Sequence, residues 1–468
     1  MKIREPWEIA LLIGTLVAVV AGSLFVSLAP LPMVGAAGAG LVLLWALFWK
    51  QPTVYRLAAW LSVLVATVVP VTRLPGESAI FRVLAVGLLL YAIFALVVRC
   101  KGFPPRQIFL PLVVFFGSLA ASTAYSFDDN KWLIFGLQAV ASIAGICVAV
   151  AGHKRDQLQT LWRIFVAVGI FQAAYGVYEM INTPDPLWQG AVIALDGTSF
   201  AMRHDLIFGF QRAQGSFGHP LPFAFYLTLA ALVLLHLMKA GRVVKLAGWL
   251  VLAAGAFASG SRSAILLFLV VSVVGYAKKW MVIAAPFLVL GGIAALALTW
   301  TTLMAQADQL VGSGSWWHRT AALRAIPDLL QERPFGQVMF GDGAGSTPRL
   351  YRSGLLQADG LLAVDNQYVH TLAEAGAFGL AALVFIVVAA FVRSGGGIRL
   401  AVVAVALQLM IFDALAWPSM AFVSWIILAL GLLGHGSKPK SENDHKTRKP
   451  ALARNRTNAY ANIGGRRP

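Results

Sequence analysis

Charge is scarce in this chain of 468 residues, where Asp, Glu, Lys and Arg together make up 12%. A soluble domain typically carries about 25%. The shortage excludes an ordinary soluble enzyme, a disordered chain and most nucleic-acid binders. Acid is scarcer than base, with 20 Asp+Glu against 37 Lys+Arg and a formal charge of +17. Cysteine is nearly absent. Cys100 and Cys147 cannot form a disulfide framework, and both fall near ends of apolar runs on the side assigned below to the cytoplasm, so free thiols are expected. Signatures of metal, nucleotide and serine-hydrolase chemistry are missing: there is no H-E-x-x-H, no P-loop, no dinucleotide fingerprint after a strand and no G-x-S-x-G elbow. No metal or cofactor is expected. A cleavable leader is not evident either. The first apolar run, near 9–29, is too long for a signal core and reads as a retained span.

What remains is apolar. Hydrophobic residues make up 59% of the chain, the mean hydropathy is +0.76, and 44 Gly and 14 Trp suit helices that pack closely and anchor at interfaces. Windows long enough to cross a bilayer fall near 9–29, 32–49, 57–72, 80–98, 107–125, 132–151, 161–181, 219–238, 243–259, 263–277, 280–300, 366–392, 398–413 and 418–434. Helices are the only regular structure that satisfies its own backbone in lipid, apart from closed barrels, and barrel alternation is absent. The fold class is therefore an all-α polytopic membrane protein of about 12–14 transmembrane helices, the lower number if the two short windows on either side of Pro418 do not cross.

Lys and Arg concentrate in alternate connections and in the basic tail 436–468 when the N-terminus is put inside. The expected organisation is N-terminal spans over 1–181, an outer loop over 182–218, central spans over 219–300, a large outer loop over 301–365 with short helices, C-terminal spans over 366–435, and a disordered cytoplasmic tail. One such short helix, about Trp316 to Leu330, has an apolar stripe suited to the membrane face. The inner cations meet anionic lipid. The outer ones run against the positive-inside bias, and all but Lys131 are arginine, a planar fork suited to phosphate or carboxylate. Some can instead pair with outer acids such as Asp328, Glu332 and Asp342.

Three segments stand out. Gln211 to Pro220 reads Q-R-A-Q-G-S-F-G-H-P and carries Arg212 and His219. Ser259 to Ser263 reads S-G-S-R-S, a short turn that holds Arg262 at the membrane edge between Ser261 and Ser263. An unpaired guanidinium there is costly and so marks a functional site, unless it only snorkels to lipid phosphate. Asp365 to Gly379 opens a span with Asp365, Asn366, Tyr368 and His370, followed by Glu374, Gly376 and Gly379. Asp365 sits at the expected N-cap, where it can simply bind backbone amides. His370 and Glu374 are one turn apart, so a core His–Glu pair is the structural alternative.

In order and spacing, the R-x-x-G-x-F-x-x-P stretch, the S-R-S turn, the long outer loop and the D-N-x-Y…E-x-G-x-x-G segment resemble the O-antigen ligase/polymerase superfamily over roughly residues 160–435. The ligase branch has a His directly before the Asn, Ser or Gln that precedes G-x-x-G. This chain has Asp365 there, which looks more like the polysaccharide polymerases. The resemblance implies a glycosyltransferase of the bacterial inner membrane with a periplasmic site. Its donor and acceptor would be glycans on undecaprenyl diphosphate, with membrane lipid and a chain-length regulator as further partners and no nucleic acid.

In chemical terms, Arg212 and Arg262 would stabilise the departing diphosphate, with Arg319 third and Arg203 beside them. Asp365 would act as general base, with His370 or His219 in reserve. Asn366, Tyr368, Ser261 and Ser263 would contact substrate. Trp316, Trp317 and Tyr368 can stack on sugars or anchor at the interface. The substrate is already activated, so the reaction requires neither nucleotide nor metal. Competing readings are a ligase onto lipid A core, a transferase onto protein, and a transporter or flippase. The last needs polar residues deep in the spans, of which Glu179, Glu374 and Asp413 are the main candidates.

Overall fold

A computed structural model describes residues 51–68, 79–128, 130–182, 191–193, 199–201, 210–273, 320–356 and 364–434. The expected spans near 9–29, 32–49 and 280–300, the tail, Arg203, Trp316, Trp317 and Arg319 lie outside the described residues.

The apolar windows that fall within them are all helices. They are α1 Gln51–Val68, α2 Ala79–Cys100, α3 Arg106–Tyr125, α4 Lys131–Lys154, α5 Leu158–Asn182, α6 Pro220–Leu232, α7 Arg242–Ala258 and α8 Arg262–Val273. After the large connection come α9 Ile326–Gln331, α10 Phe335–Phe340, α11 Thr347–Arg352, α12 Gln367–Arg393, α13 Gly396–Leu409 and α14 Pro418–Leu433. A small antiparallel pair, β1 Ala191–Ile193 with β2 Ser199–Ala201, interrupts the first long connection, and hydropathy does not signal it. Among the described residues, five helical stretches are long and apolar enough to cross a membrane: α3, α4, α5, α12 and Pro220–Leu237, which extends α6. The chain is an all-α polytopic membrane protein.

α6 and α14 form the centre, with every residue of Pro220–Leu232 and Pro418–Leu433 buried. Both are apolar on all sides, as a helix surrounded by protein must be. α14 packs on α4 and α12, and α6 packs on α5 and α7. Pro418 begins α14 at a position where its missing N–H costs nothing. This is why the last two windows are separate helices. The periphery shows large apolar side chains such as Phe94, Leu110, Phe385 and Val392, as expected of faces that meet lipid.

α12 is broken at Gly376, whose φ of 67° and ψ of −168° are not helical. A break at this depth must return its freed carbonyls to partners, and it does. Arg333 donates to the oxygens of Leu372 (3.2 Å) and Ala373 (3.1 Å). The amides of Asp342 and Gly343 donate to Ala373 and Glu374 (both 2.9 Å). The Ser122 and Ser118 hydroxyls of α3 donate to Glu374 and Ala375 (both 2.8 Å). The G-D-G-A-G loop at 341–345 thus folds back onto the break.

A Cβ at Gly376 would lie 2.5 Å from the Gly341 nitrogen and the Met339 carbonyl, in a backbone region nearly closed to other residues. Gly376→Ala should therefore lower stability by roughly 2–3 kcal/mol. Equilibrium unfolding in mixed micelles measures this, and an unchanged midpoint would contradict the packing.

Candidate functional site

The Q-R-A-Q-G-S-F-G-H-P stretch lies at the end of the bundle that carries the two long connections, folded as an irregular loop clamped from three sides. The buried Glu179 carboxylate, near the end of α5, accepts from the amides of Gln214 (3.0 Å) and Gly215 (2.8 Å). Gln172, two turns earlier, accepts from the Ser216 amide (3.2 Å) and donates to its hydroxyl (2.5 Å). Ser216 in turn donates to the Thr67 carbonyl of α1 (2.8 Å). Gly215 has φ +56°, and a Cβ there would strike the Phe223 ring. Phe217 packs on Phe223 and Tyr226. His219 is the N-cap of α6, its Nδ1 accepting from Leu221 (3.2 Å). In R-x-x-G-x-F-x-x-P, then, Gly, Phe and Pro build the loop, and only Arg212 is left to act outward.

The loop delivers Arg212 to the S-G-S-R-S turn. The Ala213 amide donates to the Ala258 carbonyl (2.9 Å), and Arg212 Nε donates to the Ser259 carbonyl (2.7 Å). Ser261 is buried and its amide is held by Ser259 Oγ (3.1 Å). Arg262 is exposed, at the first position of α8, and Ser263 is half-buried beside it. Burial, and secondarily the nearby charge of Arg262, push the Arg212 guanidinium below its ordinary value. The two arginines expected to act together are neighbours.

Neither meets an acid among the described residues. Among the described residues the terminal nitrogens of Arg212 and the whole guanidinium of Arg262 have no protein hydrogen-bond or ion-pair partner. Arginine stays cationic in proteins, so the pair is a like-charge contact that an anion would relieve. The first amides of α8, free of intrahelical partners, add positive potential at the same end.

Two arginines of the large connection differ. Arg333 is buried and bonds Asp342 Oδ2 at 2.7 Å, besides the carbonyls of Leu329, Leu372 and Ala373. Arg349 lies 3.2 Å from Asp342 Oδ1 and 3.4 Å from Asp128 Oδ2. These two are structural cations. The expected surface helix is resolved over 320–324 and α9, with a turn at Ala325.

At the third segment the N-cap of α12 is Asn366, not Asp365. Its Oδ1 accepts from Tyr368 (2.9 Å) and Val369 (3.2 Å), because its extended backbone aims the side chain at the first turn. Asp365 is half-buried one residue earlier and is relieved of capping. Tyr368 is half-buried and donates to the Ala406 carbonyl of α13 (3.4 Å). His370 is buried, with Nε2 3.5 Å from Glu374 Oε1, so the two meet as the structural alternative expected. Trp417 connects the segments. It packs against His219 at 5.6 Å between ring centroids and donates to Asp413 Oδ1 (3.1 Å).

Sequence reasoning missed Gln172, Trp417 and the G-D-G-A-G loop, although three glycines in five residues was an available signal. Glu179 drew notice only as a polar residue in a span.

Residues 246–384 match a family model described as O-antigen ligase. That stretch holds the arginine turn, the large connection and the broken start of α12, while the Arg212 loop precedes it. The match supports the O-antigen ligase/polymerase superfamily. No curated protein matches the chain.

Proposed function

Taking that superfamily as premise, we propose that the chain is a glycosyltransferase that polymerises glycan repeat units carried on polyprenyl diphosphate, working at the periplasmic face of the bacterial inner membrane. The observation that carries this reading is the adjacent pair Arg212 and Arg262, neither of which meets an acid among the described residues. An anion with charge spread over two phosphates fits two guanidinium forks.

The acceptor hydroxyl attacks the anomeric carbon of the donor glycan and loses its proton to the Asp365 carboxylate. The bond between that carbon and the diphosphate oxygen breaks, and its electron pair leaves on polyprenyl diphosphate. Negative charge grows on the leaving group as the bond opens, so fixed guanidiniums stabilise the transition state more than the bound donor. Asp365→Asn should slow product formation by about 10²-fold, the lower end for a general base, with donor binding unchanged. Single-turnover rates beside donor-binding titrations check it, and full activity of the variant would remove Asp365 from this role.

The family description favours a second reading, transfer to a lipid A core. Purified protein given a polyprenyl-diphosphate glycan, with and without core acceptor, separates the two. Chain lengthening without core supports polymerisation, and product only on core supports ligation.

A further inference from the structure

A cavity lies between α3, α4, the first turns of α12, the turn before α14 and α14 itself, lined by both apolar and polar groups. Its polar lining is Gln138, Ser142, Gln367, His370, Thr371 and Glu374. Gln367, Thr371 and Ser142 are satisfied within the protein, and an unpaired polar group beside them is costly unless it meets a partner. Gln138 is only 6% exposed, yet its side-chain amide makes no hydrogen bond to the protein among the described residues. Glu374, 4% exposed, places Oε1 on the Gly345 amide at 2.7 Å and gives Oε2 no such partner. A room of this kind holds water.

Besides His370, the groups that act on the pair are Asp413, from the turn after α13, and Asp128, from the turn after α3. α3, α4 and α14 contribute no titratable group to the lining. Asp342 on the adjoining loop is paired with Arg333 and Arg349, and Arg349 also reaches Asp128 at 3.4 Å. The buried carboxyl group thus meets one imidazole, at 3.5 Å, and one backbone amide.

We propose that this cavity is a hydrated proton-holding site, in which the His370–Glu374 pair shares an exchangeable proton and serves as the sink for Asp365. The function rests on the glycosyltransferase reading above; the proton site itself does not. His370 lies a little more than one helical turn below Asp365, and Glu374 one turn further, about 6 Å deeper at 1.5 Å per residue. The proton that the acceptor hydroxyl gives to Asp365 passes through water to the pair and returns to solvent by the same route before the next turnover. No electron moves and no co-reactant is needed. Glu374 acts through Asp365, so it is a positioning residue for the proton.

Glu374→Gln tests both parts, because the amide oxygen keeps the bond to Gly345 while the exchangeable carboxyl proton is lost. Infrared difference spectra of the whole protein in lipid, without substrate, should show the carbonyl band of a protonated buried carboxyl group. That band should shift in heavy water and vanish in Glu374→Gln. Its absence from the wild type, or its persistence in the variant, overturns the proton site.

In the polymerisation assay the variant should be roughly tenfold slower at neutral pH and should lose one ionisation from its pH–rate profile. An unchanged rate and profile, with the band present, overturns the role as sink. Glu374→Asp, which restores an ionisable group, should recover part of the lost ionisation. A wild type that forms no glycosidic product overturns the glycosyltransferase reading instead, and the infrared band still decides the site.

Discussion

Replacement of Arg262 by Ala is expected to cut glycan product by about 10²–10³-fold, and Arg212→Ala by a similar factor, with both proteins folded. The magnitude is that of removing one preorganised donor from a site where charge develops. Stability should hardly move. Arg262 is exposed and unpaired among the described residues, and exposed substitutions usually stay within about 0.5 kcal/mol. Arg212 gives up one bond, to the Ser259 carbonyl, worth about 1 kcal/mol. Losing either cation also relieves the repulsion between them.

Lysine should rescue poorly at both positions, since a point charge cannot reproduce a planar fork. The two arginines grip one leaving group, so the double variant should be less impaired than the product of the single effects. Chain-length distributions from purified variants, beside their unfolding midpoints, are the measurement. Two alanine variants with wild-type product would end the diphosphate reading.

Much of the helical frame was legible in the sequence, because a bilayer demands long apolar runs and little else produces them. α4, expected near 132–151, is Lys131–Lys154, and α5, expected near 161–181, is Leu158–Asn182. The proximity of Arg212 and Arg262 was legible only through their motif order.

What sequence reading could not do was sort the arginines. Arg333 and Arg262 look alike as outer cations, and the difference is an acid nine positions after the first and none near the second. Arg349 reaches Asp128 across 221 positions of chain, a distance that no local pattern reports. Ser118, Ser122 and Thr123 posed the same difficulty. A hydroxyl in an apolar helix usually bonds its own preceding turn, as Thr123 does to Leu119. Here the hydroxyls of Ser118 and Ser122 also serve the carbonyls freed at Gly376. The cap of α12 was misread by one residue because Asp365 and Asn366 are equally good cap formers. Backbone geometry chose between them.

The sorting itself yields the second large effect, opposite in kind to the first. Arg333→Met should destabilise the fold by about 3–5 kcal/mol, the range for removing one member of a buried ion pair. The guanidinium is buried against Asp342 Oδ2 and three backbone carbonyls. Methionine fills much of its volume but donates to none of them. Asp342 would keep only the half-exposed Arg349, and the Leu372 carbonyl would lose its donor at the break in α12.

Adding Asp342→Leu should cost less than the sum of the single effects, because the second change removes the charge that the first left stranded. The end of α12 is tied by this same bond set, so activity should fall only as the folded fraction falls, and the surviving folded protein should keep its pH–rate profile. Arg262→Ala predicts the reverse, a stable protein without turnover. An Arg333→Met protein that is as stable as the wild type but inactive would mean that this guanidinium belongs with the substrate and that the division of the arginines drawn here is wrong.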